Sequence, residues 1–76
     1  MFTEEEKFGY LGKNIAKQRK LRKLSQFKMA EMLDISREHL AKIETAKRGI
    51  SLSLLFKFSE MFDVPEKVLF DFTDYE

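Results

Sequence analysis

The chain has 76 residues, a mass of 9.0 kDa and a formal net charge of +1, and 43% of its residues are hydrophobic and 36% charged. This length allows one small domain, and this composition excludes both a disordered chain and a membrane-spanning one. Because the sequence has no cysteine and a single histidine, His39, disulfides, thiolate chemistry and a zinc site are excluded, and we expect neither a metal nor a cofactor.

The charges are distributed unevenly along the chain. Residues 11–30 contain seven basic residues and no acidic one, whereas residues 49–76 contain six acidic residues and two lysines. This asymmetry favours a polyanionic partner on the basic side. The alternative interpretation is a charged helix face that contacts only solvent.

Helical spacing of the apolar residues predicts five short helices and no sheet. The first helix begins in a capping box formed by Thr3–Glu6 and runs to about Arg22. Gly9 and Gly12 are expected to weaken its early part, so that the helix is firm only from about Leu11.

Serine residues mark the beginnings of the next two helices. Ser25 caps a second helix that runs through Leu33, and Ser36 caps a third that runs to about Thr45. The turn between them, Asp34–Ile35, is so short that the two helices must cross sharply.

The last two helices lie in the acidic half of the chain. Ser51 caps a fourth helix, which ends at Asp63–Val64, and Pro65 opens the fifth at its first turn. The apolar face of the fourth helix is expected to follow helical spacing through Leu52, Leu55, Ser59 and Phe62.

Several short segments of the chain together form a pattern with a specific spacing. It comprises RKLRKLSQ at residues 19–26, Met29-Ala30, Leu33 to Ser36, Ile43-Glu44, Lys47-Arg48, Ser51-Leu52 with Leu54-Leu55, and Val64. This pattern resembles the phage-repressor-like, XRE-type helix-turn-helix family over about residues 11–71. The resemblance implies an all-α, five-helix lambda-repressor-like DNA-binding domain spanning residues 1–76, with residues 1–10 as an N-terminal extension and residues 72–76 as a tail.

The third helix, residues 36–45, is the one that the resemblance assigns to the major groove of DNA. With Leu40 and Ile43 directed inward, its other face carries polar side chains. The candidate base-reading residues are Arg37, Glu38, His39 and Lys42. Arg37 can form a bidentate contact with guanine, Glu38 can accept from a cytosine amino group, and Lys42 can reach guanine or a phosphate.

Contacts with the DNA backbone are expected near the ends of the second and third helices. Gln26 lies in the first turn of the second helix, where free N–H groups and the helix dipole suit a phosphate oxygen, and the resemblance implies the same role. The candidate backbone contacts are Gln26, Ser36, Thr45, Lys47 and Arg48. Other lysines, such as Lys13 and Lys17, are expected to contribute only a long-range field.

Arg19 and Glu44 stand where members of the family have an ion pair that joins the first and third helices. An arginine fork matches a carboxylate geometrically, so the resemblance implies that this pair is structural and does not contact DNA.

Three turns depart from the family pattern, in which glycine is usual. They hold Lys23, Asp34 and Ala46. Aspartate tolerates the left-handed backbone conformation better than lysine or alanine does. Ala46 therefore predicts that the third helix runs on slightly and that Gly49 takes over as the flexible point.

The sequence predicts a regulator, not an enzyme, with double-stranded DNA as its partner and no small-molecule ligand. Nothing at the N-terminus has the form of a signal peptide, so we expect a cytoplasmic protein that does not associate with membranes. The alternative function is an antitoxin or an adaptor that holds another protein. Restriction–modification controllers, antitoxins and mobile-element repressors share this size and layout, and the sequence does not separate them.

A symmetric dimer reading a palindromic operator is also expected, because one small domain contacts too few base pairs to select a site in a genome. The candidate dimer patch consists of Phe56, Val68, Phe70 and Phe72, whereas Phe62 and Leu69 are assigned to the core. The alternative is that all of these residues complete the core of the monomer.

Overall fold

The computed structural model describes residues 1–47 and 49–76. Within these residues it contains five α-helices, one short 3-10 helix and no strand, which confirms the predicted all-α fold. The helices are α1 (Glu4–Leu21), α2 (Gln26–Leu33), α3 (Arg37–Glu44), α4 (Leu52–Phe62) and α5 (Glu66–Leu69), followed by the 3-10 helix Thr73–Tyr75.

Hydroxyl side chains cap the helices where the sequence predicts. In the capping box of α1, the Thr3 hydroxyl accepts from the Glu6 N–H at 3.1 Å, and the Glu6 carboxylate accepts from the Thr3 N–H at 3.0 Å. The hydrogen bond from the Thr3 backbone lowers the pKa of the Glu6 carboxyl. The hydroxyls of Ser25, Ser36 and Ser51 accept from backbone N–H groups in the first turns of α2, α3 and α4 at 3.0, 2.9 and 3.1 Å. These caps stabilise three helices that are too short to form alone.

The hydrophobic core is built from one face of every helix. Its buried members are Leu11, Ile15, Met29, Ala30, Leu33, Leu40, Ile43, Leu54, Leu55, Phe58, Phe62 and Leu69. Phe62 and Leu69 are buried as predicted. Leu52 is not, because the buried stripe of α4 begins at Leu54 and continues through Phe58, which leaves Leu52 68% exposed. The expectation for Leu52 was therefore wrong.

The glycines of α1 do not interrupt the helix, which is continuous from Glu4. Gly12 is buried where α1 crosses the end of α3. A Cβ atom at this position would collide with the carbonyl oxygen of Ile43 and would lie 2.8 Å from that of Glu44. Glycine is therefore required here by the close approach of two backbones, and the prediction of a helix firm only from Leu11 was wrong.

Four non-glycine residues adopt the left-handed conformation at turns, with φ between 55° and 62°; they are Lys23, Asp34, Ala46 and Asp63. At Ala46 this conformation ends α3. The Ala46 N–H donates to the Ile43 carbonyl at 3.2 Å and the Lys47 N–H to the Lys42 carbonyl at 2.8 Å, which is a Schellman motif. The predicted extension of the third helix was wrong, because α3 ends at Glu44, and the role expected for Gly49 stays a prediction.

No helix in the described part of the chain is both long enough and apolar enough to cross a membrane.

Candidate nucleic-acid interface

The polar face of α3 is presented to solvent because the opposite face is anchored in the core. Leu40 and Ile43 are buried, and the short turn before α3 packs it against α2. The predicted base-reading residues lie together on this helix: Arg37, Glu38 and Lys42 are exposed, and His39 is half-buried. The N-terminal end of α3 is thus accessible to a groove of DNA.

Two of these residues are paired with each other. Lys42 Nζ lies 3.0 Å from Glu38 Oε1, one helical turn apart in the favourable orientation with the acid first. The hydrogen bond from Lys42 and the positive charge of its ammonium group lower the pKa of the Glu38 carboxyl. These two charges offset each other, whereas Arg37, at the start of α3, forms no ion pair with any other residue that the structure describes.

A buried polar network holds α3 against α1. Arg19 Nε donates to Glu44 Oε2 at 2.8 Å and Arg19 Nη2 to Glu44 Oε1 at 3.1 Å, and each residue is 9% exposed. Arg19 Nη1 also donates to the Leu24 carbonyl at 2.8 Å. The guanidinium group thereby links the end of α1, the loop after it and the last turn of α3, and sets the angle of α3.

Gln26 takes part in the same network. Its amide nitrogen donates to Glu44 Oε1 at 3.0 Å, so the first residue of α2 is tied to the last residue of α3. This hydrogen bond was not predicted from the sequence, where Gln26 is assigned only to DNA. No local pattern could have indicated it, because the two residues are 18 positions apart and meet only through the corner between the helices.

The other predicted backbone contacts are distributed around this corner. The hydroxyl of Ser36 is engaged as the cap of α3, and the hydroxyl of Thr45 donates to the Ala41 carbonyl at 2.8 Å. Lys47 is exposed in the loop after α3. Arg48 lies outside the described residues.

Lysines of α1 lie beside this corner. They line an open depression of about 660 Å³, here called the α1 groove, whose lining residues are Lys13, Ala16, Lys17, Lys20, Leu21, Gln26, Glu44 and Thr45. From the sequence, Lys13 and Lys17 are expected to have only a long-range role. The helical spacing of 13, 17 and 20 places them on one face of α1, but only the folded chain brings that face next to α2 and α3.

The predicted dimer patch has exposed and partly buried members. Phe56 and Phe70 are 49% and 48% exposed, and Val68 and Phe72 are half-buried. Phe72 also packs within the monomer, since its ring centroid lies 6.4 Å from that of Phe2 and 5.8 Å from that of Tyr10. This part of the patch therefore contributes to the monomer fold as well.

Comparison with known proteins agrees with this geometry. The helix-turn-helix family model matches residues 15–69. A solved structure, that of the restriction-modification controller protein C.AhdI from Aeromonas hydrophila, is similar with a TM-score of 0.77 and 24% sequence identity over 83% of this chain and 96% of that chain. At this identity the similarity shows a shared fold. None of the curated proteins matches the chain in sequence.

Proposed function

Since the chain belongs to the XRE-type helix-turn-helix family of DNA-binding regulators, we propose that it is a sequence-specific repressor that binds duplex DNA as a symmetric dimer. Membership of the family confirms the resemblance seen in the sequence, and these regulators are not enzymes, as predicted. In this proposal α3 lies in the major groove of the operator, and the N-terminus of α2 contacts the phosphate backbone.

The observation that carries the proposal is the exposed polar face of α3 on a rigid support. Arg37 is suited to the O6 and N7 atoms of guanine, and Glu38 to a cytosine amino group. When Lys42 leaves Glu38 to contact a base or a phosphate, the carboxylate becomes free to accept a hydrogen bond. The buried Arg19–Glu44 pair supports this role, because it holds α3 at one angle while the bases are contacted.

A two-fold dimer explains how so small a domain selects a site. Pairing two copies doubles the number of base contacts and makes the operator palindromic, with the two α3 helices about 34 Å apart. We assign the interface to Phe56, Val68, Phe70 and Phe72. Two observations support this assignment: Phe56 and Phe70 are half-exposed, and the acidic residues 49–76 around them are unsuited to DNA.

The target of such a repressor is bacterial or phage DNA, and we therefore assign the protein to the cytoplasm. The name of C.AhdI states that it controls a restriction–modification system, and the shared fold makes such genes the first candidates for regulation by this chain.

Selection of bound sequences from a pool of random duplexes tests specificity and symmetry together. We expect a palindromic consensus whose half-sites lie one helical turn apart, bound about 10³-fold or more tightly than random DNA. Affinity should fall steeply with salt, because phosphate contacts release counterions. A pool without an enriched sequence would contradict the proposal.

A protein-binding adaptor or antitoxin is the second candidate, and exposed apolar side chains outside the proposed dimer patch favour it. These are Leu21, Phe27, Met32 and Leu52. Failure to bind any duplex at low salt would support this second function and exclude the first.

A further inference from the structure

The α1 groove extends the helix-turn-helix corner onto α1, since Gln26, Glu44 and Thr45 belong to the corner and its three lysines lie on α1. We infer that this groove binds a backbone phosphate of the duplex beside the operator, and that the acidic C-terminal tail, residues 72–76, weakens that contact in the free protein. The inference rests on the proposed function, and it adds a phosphate contact on α1 to the proposed DNA interface.

The chemistry of the α1 groove suits a phosphate. Lys13, Lys17 and Lys20 supply three ammonium groups, and the Gln26 amide nitrogen has a second hydrogen besides the one that it donates to Glu44. The groove also opens on the first turn of α2, a helix of eight residues, where N–H groups without helical partners and the positive end of the dipole attract anions.

Glu44 is the one acidic residue among those that define the groove, and its charge is already compensated. Both of its oxygens accept hydrogen bonds from Arg19, and Oε1 accepts a further one from Gln26. The residue is also buried. The residues that line the groove therefore present no free carboxylate to an anion.

The C-terminal tail is fastened along α1 by Asn14. The Asn14 amide nitrogen donates to the carbonyls of Leu69 and Asp71 at 2.8 and 2.9 Å, and its oxygen accepts from the Tyr75 hydroxyl at 3.0 Å. The Tyr75 ring stacks on Tyr10 with 4.4 Å between centroids. Apart from Leu69, the residues joined by these contacts lie outside residues 15–69, the part matched by the family model.

Fastened in this way, the tail engages two lysines of the groove. Asp74 Oδ2 lies 3.7 Å from Lys17 Nζ, and Lys13 Nζ lies 5.8 and 5.5 Å from the ring centroids of Tyr10 and Tyr75. The side chains of Lys17 and Asp74 are 62% and 77% exposed. Because the pair is open to solvent, a DNA phosphate can displace Asp74 from Lys17 without unfolding any part of the chain.

The first experiment measures DNA affinity against salt concentration by fluorescence anisotropy. The variant carries Lys17→Gln with Lys20→Gln, and the matched control carries Lys57→Gln with Lys67→Gln, which removes the same charge from the acidic half. In the groove variant we expect the salt slope to fall by about 0.9 for each phosphate that is no longer neutralised, with unchanged preference for the operator. Both variants should unfold at the temperature of the wild type, since glutamine and lysine have similar helix propensities.

The second experiment removes the competing carboxylate. Asp74→Asn should bind operator and random duplexes about two- to five-fold more tightly, the range that an exposed ion pair supports. Glu60→Gln, which removes the same charge from α4, should leave affinity nearly unchanged. Equal effects of these two substitutions would overturn the role of the tail.

The outcomes separate this inference from the proposed function. If the wild type selects an operator but the two lysine variants have the same salt slope, phosphate binding in the α1 groove is overturned and the proposed function stands. If the wild type selects no sequence but the groove variant still has the smaller salt slope, the repressor proposal fails. Binding of a backbone phosphate in the α1 groove is then supported. A wild-type chain that binds no duplex overturns both.

Discussion

At the scale of single residues, burial divides the charged side chains of α3 into two groups with different roles. Arg37 is exposed at the start of the helix, whereas Glu44 at its end is 9% exposed and bonded to Arg19. An exposed arginine costs nothing to leave unpaired in water, but a buried carboxylate without its arginine is strongly unfavourable. A substitution of Arg37 should therefore weaken DNA binding, whereas a substitution of Glu44 should lower the stability of the fold.

For Arg37→Ala we expect binding to the best operator to weaken by about 1–3 kcal/mol and the preference at one base pair to relax, because the bidentate hydrogen bonds to guanine are removed. The free energy of unfolding should be unchanged. Lys47→Ala is the matched control, since a phosphate contact should weaken all duplexes by similar factors. Competition binding with single-base operator variants measures both effects. An equal weakening on random DNA would show that Arg37 contacts only phosphate.

Removal of the Glu44 carboxylate should destabilise the packing of α3 against α1. Glu44→Ala is expected to lower the free energy of unfolding by about 3 kcal/mol, because Arg19 stays buried without its partner, and to weaken DNA binding through misplacement of α3. Urea denaturation measures the first effect. Glu38→Ala, at an exposed ion pair on the same helix, should cost far less. Abolished binding with unchanged stability would instead move Glu44 into the interface.

At the scale of elements, the position of α3 depends on how closely α1 approaches it and on how α3 ends. Gly12 lies against the backbone carbonyls of Ile43 and Glu44, and Ala46 ends α3 in a left-handed conformation. Gly12 has no Cβ atom, whereas Ala46 has one that the left-handed conformation accommodates poorly. Each therefore gives a sharp test by exchange of glycine and alanine.

Gly12→Ala should lower the free energy of unfolding by about 1–3 kcal/mol, because the added methyl group forces two backbones apart. It should also reduce DNA affinity, since the shifted backbone is that of α3. Gly9→Ala is the matched control in the same helix, where the new methyl group meets only Ala46 Cβ at 3.9 Å. There the gain in helix propensity should stabilise the fold by about 0.5–1 kcal/mol. If Gly12→Ala raised the free energy of unfolding, the close approach of the α1 and α3 backbones would be refuted.

Ala46→Gly should raise the free energy of unfolding by about 0.5–1 kcal/mol, because relief of the left-handed conformation exceeds the entropic cost of glycine. The same exchange in the middle of α1, Ala16→Gly, should lower it by about 1 kcal/mol. Thermal and urea unfolding of the two variants give the comparison. If Ala46→Gly destabilised the protein as much as Ala16→Gly, the strain assigned to this turn would be absent.

At the scale of the whole molecule, charge is segregated along the chain. The basic residues 11–30 and α3 supply the proposed DNA contacts, whereas the acidic residues 49–76 carry the proposed dimer patch. The acidic residues around Phe56 and Phe70 are unsuited to DNA, which leaves these exposed phenylalanines available to a second copy.

Sedimentation tests this arrangement. The wild type should be dimeric at micromolar concentration, and Phe56→Glu should be monomeric and bind a palindrome much more weakly, because two charges would face each other across the axis. Phe27→Glu, at a phenylalanine of α2 that is more exposed than Phe56, should remain dimeric. A wild-type monomer that binds a palindrome as one copy would refute the dimer.

Local features of the sequence determined much of the fold. Hydroxyl caps at Thr3, Ser25, Ser36 and Ser51 mark helix starts because each cap bonds to an N–H group only three residues away. The spacing of Leu40 and Ile43 likewise established which face of α3 turns outward, since a helix repeats every 3.6 residues whatever surrounds it. The resemblance to the family added the Arg19–Glu44 pair.

Tertiary structure decided the contacts between residues that lie far apart in the sequence. Gly12 is a packing contact and not a helix breaker because α3 crosses there. Gln26 reaches Glu44, and the lysines of α1 reach the same corner, only when three helices meet. Caps and periodicity act over a few residues, whereas these contacts exist only after the chain has closed on itself.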